Sequence, residues 1–140
     1  MFNKMYEDRL NIWSKFRQTL EKSTTPFEDT IAFFNDSPYT SISADPWDRN
    51  TWPTPWEMIH ENLYCDFTRV LAWCYSLQLT ERFSNSNFEI HIITAEEKSY
   101  QYVLHADDFV LGFIDNVAVK KDKLPKNYQP QQVHQMPKLQ

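Results

Sequence analysis

Between positions 3 and 22 the apolar residues Tyr6, Leu10, Trp13, Phe16 and Leu20 recur at steps of four, three, three and four, with Lys4, Arg9, Lys15, Arg17 and Glu21 on the rest of the wheel. This spacing predicts an amphipathic helix whose aromatic stripe faces the core or a neighbouring subunit. Thr25-Pro26-Phe27-Glu28 then offers an N-cap, a proline at the first helical position and a glutamate to close a capping box, so a short helix is expected over about 26–34, ended by Asn35-Asp36-Ser37-Pro38. Thr54-Pro55-Trp56-Glu57 repeats the signature for a helix that Asn62 stops, and Phe67, Val70, Leu71, Cys74 and Leu77 form one face of a further helix over about 64–79. After Ser84-Asn85-Ser86-Asn87 the period falls to two. Strands are expected around Phe88–Ile93, Tyr100–His105 and Phe109–Ile114, with turns at Ala95-Glu96-Glu97-Lys98 and His105-Ala106-Asp107-Asp108. The fold class read from this pattern is α+β: N-terminal helices packed on a three-stranded antiparallel meander.

Two stretches break the pattern. Residues 36–56 hold four prolines and three tryptophans, Trp47, Trp52 and Trp56, which reads as a stiff loop wrapping the domain with its rings in the core. Residues 120–140 have no periodicity and are rich in Gln, Asn and Pro, which reads as an extended C-terminal arm that a partner orders and the core does not need. The expected organisation is therefore an N-terminal helical segment (1–35), the wrapping loop (36–56), a helix-plus-meander core (54–119) and the arm (120–140).

Composition narrows the function. The 140 residues include a single glycine, Gly112, beside five Trp, seven Tyr and ten Phe. A Gly-rich phosphate cradle or dinucleotide-binding turn needs several Cβ-free positions close together, so chemistry of that kind is excluded and no cofactor is expected. Gly112 lies in the third expected strand, where it leaves room for a ring or backbone to approach, or for a bulge. The net charge is −5. Residues 26–98 carry twelve acidic and four basic side chains, which would repel nucleic acid. No apolar run nears the roughly 18 residues that cross a bilayer, and Glu7, Asp8 and Arg9 do not suit a secretory signal, so neither a membrane nor secretion is expected. Cys65 and Cys74 lie nine residues apart on one expected helix, about 13 Å along its axis, and cannot pair. No metal site is expected either, because the histidines (His60, His91, His105, His134) are scattered.

One constellation could carry chemistry. A cysteine in the first turn of a helix, followed by a hairpin and a strand ending in Asp, is a layout for a thiol nucleophile with a base and an orienting carboxylate. Tyr64-Cys65-Asp66-Phe67, the meander and Phe113-Ile114-Asp115-Asn116 resemble the core of the transglutaminase-like (papain-like) cysteine hydrolases over residues 54–119. The resemblance implies Cys65 as nucleophile and Asp115 as carboxylate. The implied histidine position, opposite Asp115 on the second strand, holds Ser99 or Tyr100, and Thr68 stands where the family has a small residue. His105 would lie at the other end of the hairpin, roughly 20 Å away. The expectation is a vestigial site with no catalytic residues; the alternative is a cysteine hydrolase or acyl-transferase using Cys65.

The wording of DPWDRNTWPTPWE (45–57) and ERFSNSNFEIHI (81–92) is also similar to small virion proteins of contractile-tailed phages, particularly those of cyanobacteria. This resemblance implies a non-catalytic structural subunit of the head-to-tail, neck or tail region, assembled in the host cytoplasm, with neighbouring virion proteins or copies of itself as partners. Interface candidates are Trp13, Phe16, Trp47, Trp52, Lys120, Lys121, Tyr128 and Gln131.

Overall fold

The computed structural model describes residues 1–95 and 99–139. Four helices, α1 (Tyr6–Leu20), α2 (Pro26–Phe34), α3 (Pro55–Glu61) and α4 (Asp66–Gln78), precede five strands: β1 (Phe88–Thr94), β2 (Tyr100–Ala106), β3 (Phe109–Ile114), β4 (Val117–Lys120) and β5 (Pro130–Gln135). The class is α+β, as the pattern indicates. The sheet has five antiparallel strands in the order β4-β3-β2-β1-β5 rather than three. The meander is its centre, and the expected turn at 95–98 falls largely on residues 96–98, outside the described residues.

Both extra strands have a local cause. At Asp115-Asn116 the chain turns between Ile114 and Val117 with Asn116 in the left-handed region (φ +66°), which lets residues 117–120 fold back on β3. The arm does not leave the domain. Residues 130–135 pair with β1, Met136 N–H bonds the Phe88 carbonyl at 2.9 Å, and the Met136 side chain enters the core at 7% exposure. The helices cover one face of the sheet. The other face carries a smaller cluster of Ile93, Val103 and Val110, over which Leu124 and Tyr128 from the segment before β5 are laid.

α4 is the hub. It is buried almost all round, from Phe67 through Leu77, because helices lie on one side of it and the sheet on the other. Trp13 of α1 is 0% exposed, and its indole N–H donates to Ser76 Oγ at 2.9 Å. Trp13 therefore cannot be the interface residue expected from the stripe. Phe16 stacks on Phe33 at 4.0 Å and is half-buried. Arg9 is buried as well, and donates to the Ile59 and His60 carbonyls in the last turn of α3, where no intrahelical N–H remains to reach them.

The wrapping loop plugs the core with one ring, not three. Trp52 packs on Phe67 at 4.9 Å and donates to the Asp45 carbonyl, whereas Trp47 and Trp56 keep 45% and 48% of their surface exposed. Trp56 retains an edge contact with Trp13 at 5.8 Å. Trp56→Ala should accordingly cost only about 1 kcal/mol, the worth of such a pair, and Trp52→Ala roughly 3 kcal/mol in urea unfolding.

Candidate functional site

Cys65 occupies the N-cap of α4 in an extended conformation. The chain before it runs beside residues 38–40: Tyr64 N–H bonds the Pro38 carbonyl at 2.9 Å and Thr40 N–H bonds the Tyr64 carbonyl at 3.0 Å, an isolated parallel bridge. This anchors the loop that follows, so that Ser43 falls against the thiol. Ser43 Oγ donates to Cys65 Sγ at 3.3 Å, Thr68 Oγ1 lies 3.1 Å from the same sulfur, and the two hydroxyls are 2.6 Å apart. The three atoms close a ring of hydrogen bonds. Burial pushes the thiol pKa up, and the bonds from the Ser43 and Thr68 side chains and backbone outweigh it, so the group sits below its ordinary value. Cys74, wholly buried with no such partners, is pushed far above it.

Cys65 is 4% exposed and borders a cavity of about 410 Å³ that Ile42, Asp45, Pro46, Phe67 and Tyr102 also line. The β2 residue in this cavity is Tyr102, not Ser99 or Tyr100. Burial, then the neighbouring Cys65 and Asp66, raise the Tyr102 pKa, which keeps the phenol protonated. Ser99 accepts from Ala95 N–H at 2.9 Å, and Tyr100 meets the Trp47 ring edge-on at 5.2 Å. The β2 to β3 ladder runs Ala106↔Phe109 to Leu104↔Leu111, and the β3 to β4 pairing shifts register between Leu111 and Ile114. Gly112, at φ +93°, is where β3 leaves the ladder, and the Gln101 side-chain amide takes over by donating to the Gly112 carbonyl at 2.6 Å.

Asp115 is exposed on the β3–β4 turn and borders a different groove, with Arg69, Trp73 and Gln101. Asp66 and Tyr102 form the wall between that groove and the Cys65 cavity. Neither Asp115 nor any histidine is among the hydrogen-bond partners of Cys65 in the described residues. His60 packs on Tyr6, and His134 donates Nε2–H to the Pro46 carbonyl at 3.0 Å. Among the described residues the side chains bonded to the Cys65 thiol are hydroxyls, which polarise it but are no bases at neutral pH.

The remaining two histidines meet on the opposite face of the sheet. Register sets Glu89 opposite His105 and His91 opposite Val103, which places Glu89, His91 and His105 on one face. Their rings stack at 3.7 Å, and both bond the hydroxyl of Tyr128. Burial lowers both pKa values; for His105, with His91 and Lys121 beside it, the fall is to about 3. Scattered spacing hid this cluster, yet period-two alternation in a hairpin is the signal that brings 89, 91 and 105 together. Of the interface candidates, Trp47, Lys120, Lys121 and Gln131 are exposed, while Trp52 and Tyr128 hold internal contacts. No described helix is long and apolar enough to cross a membrane.

No family model matches the chain, and neither a curated protein nor a solved structure matches it.

Proposed function

We propose that the chain is a non-catalytic structural subunit of a tailed-phage particle, in its head-to-tail, neck or tail region, acting through protein contacts. The observation that carries the non-catalytic part is the Cys65 surroundings: two hydroxyls bonded to the thiol and a half-buried phenol lining the same cavity, where a hydrolase needs an imidazole. Ile42 lines the cavity, and other large apolar side chains on the same loop and on β2 are exposed. Ile42 is 80% exposed, Tyr39 57%, and Trp47 and Tyr100 form an exposed ring pair. Exposed aromatic side chains such as these suit a protein partner, since such rings supply much of the affinity at interfaces. The phage context rests on the wording of residues 45–57 and 81–92.

Incorporation into purified particles tests the reading. The wild-type chain should appear there at fixed stoichiometry, and the double variant Ile42→Glu with Trp47→Glu should stay folded and be left out. Full incorporation of that variant would contradict the assigned surface, and absence of the wild-type chain from particles would contradict the function. A second reading, a cysteine hydrolase or acyl-transferase, draws on the lowered Cys65 pKa and the adjoining cavity.

A further inference from the structure

The stacked histidine pair lies on the face of the sheet away from Cys65 and has no part in either reading above. His91 and His105 are 7% and 4% exposed. His91 Nδ1 and His105 Nε2 each lie 2.9 Å from one atom, Tyr128 Oη, so two ring nitrogens from adjacent strands are aimed at a single point. On its far side His91 Nε2 is 3.0 Å from Glu89 Oε1. The carboxylate oxygen and one nitrogen from each ring all fall within 4.8 Å of one another. We propose that this cluster is a binding site for a divalent cation of the zinc or copper class, with His91 Nδ1 and His105 Nε2 as ligands, Tyr128 Oη as a third donor and Glu89 orienting His91.

The donor set decides the class of ion. Two imidazoles with one phenolic oxygen suit borderline transition metals, whereas calcium and magnesium take shells built of oxygen. Glu89 accepts from His91 Nε2–H, which leaves the lone pair of Nδ1 facing the site; a carboxylate behind a ligating histidine is the usual means of fixing that tautomer. Without an ion, that lone pair accepts from the Tyr128 O–H, and the Tyr128 oxygen accepts in turn from His105 Nε2–H. Binding therefore needs one proton rearrangement on each partner. The His105 proton moves from Nε2 to Nδ1, the other neutral tautomer, and the phenolic O–H turns away from His91.

An ion about 2.0–2.1 Å from each nitrogen stands between the rings and the phenolic oxygen, which must draw back from its present place. Tyr128 can do so because it lies in the irregular segment between the turn at 121–123 and β5. Lys121, beside His105, opposes the ion electrostatically.

The experiment titrates the chelator-treated 140-residue chain with Zn²⁺ by calorimetry and follows the histidine ring protons by NMR. One equivalent should bind, the ring signals of His91 and His105 should shift while those of His60 and His134 stay, and the melting temperature should rise. His91→Gln and His105→Gln should each weaken binding at least tenfold, Glu89→Gln by 10- to 100-fold, and Cys65→Ser should leave it unchanged. Absence of saturable uptake by the wild-type protein would overturn the proposal. So would uptake that survives both histidine substitutions, that moves the His134 signal instead, or that is lost with Cys65. Because the ring shifts are read on the wild-type protein, the test stands even if a variant fails to fold.

Discussion

Gly112→Ala is expected to destabilise the protein by about 3 kcal/mol, the sum of a strained backbone and an overfilled site. At φ +93° a residue with a side chain is already unfavourable. A Cβ built there would lie 2.9 Å from Trp73 Cζ3 and 3.2 Å from the Tyr102 carbonyl oxygen. The ring could turn aside, but the carbonyl belongs to a strand and cannot. A double-mutant cycle isolates the ring's share: in a Trp73→Leu background the ring clash goes, and the backbone strain with the Tyr102 carbonyl contact should remain as a penalty of about 1–3 kcal/mol by urea unfolding. A Gly112→Ala protein as stable as wild type would contradict the positive φ and the close packing at Gly112.

Removing residues 124–140 should abolish cooperative unfolding at 25 °C, a loss of more than about 5 kcal/mol and so comparable to the whole stability of a small domain. The truncation strips β5 from β1, takes the Met136 side chain from the core, and uncovers Val103 and Val110 on the outer face. It also leaves polar groups without partners. Gln78 Nε2 donates to the Pro137 carbonyl at 2.9 Å, and Arg49 Nη2 to that of Gln135 at 2.8 Å. This reverses the expectation from sequence, in which the arm was dispensable for the core. Circular dichroism and thermal melting of the truncated chain decide it, and a melting temperature within a few degrees of wild type would restore the dispensable arm.

Why the arm misled is physical. β5 reads PQQVHQ and lies at the edge of the sheet, where only His134 turns inward with Val133 left half in water, so it shows no apolar alternation. β4 is only four residues long, too short for a period to emerge. The helices were legible because their signals are local. The capping box at Thr54 forms as read, with Thr54 Oγ1 accepting from Glu57 N–H and the Glu57 carboxylate accepting from Thr54 N–H, and Asn62 ends α3 at φ +55°. Its twin at Thr25 does not form: Glu28 instead accepts from Ala118 N–H of β4 at 2.8 Å, a tertiary contact 90 residues away.

The candidate site was legible to a similar depth. Cys65 does open a helix, and Asp115 does end a strand. Which residue faces the thiol was not legible, because that depends on a register set by Gly112 and on a loop that brings Ser43 over α4. The histidine cluster depended on the same kind of non-local pairing.

The pH dependence of Cys65 alkylation by iodoacetamide, with Cys74 as the inert internal control, tests most directly whether this thiol lacks a catalytic base. A single ionisation, lowered from the ordinary thiol value by the Ser43 and Thr68 hydrogen bonds, is expected, unmoved by substitution of His91, His105 or His134 and eliminated by Cys65→Ser. Rates that hold a plateau down to about pH 6, with a second ionisation in the histidine range, would instead reveal a thiolate–imidazolium pair and contradict the non-catalytic account.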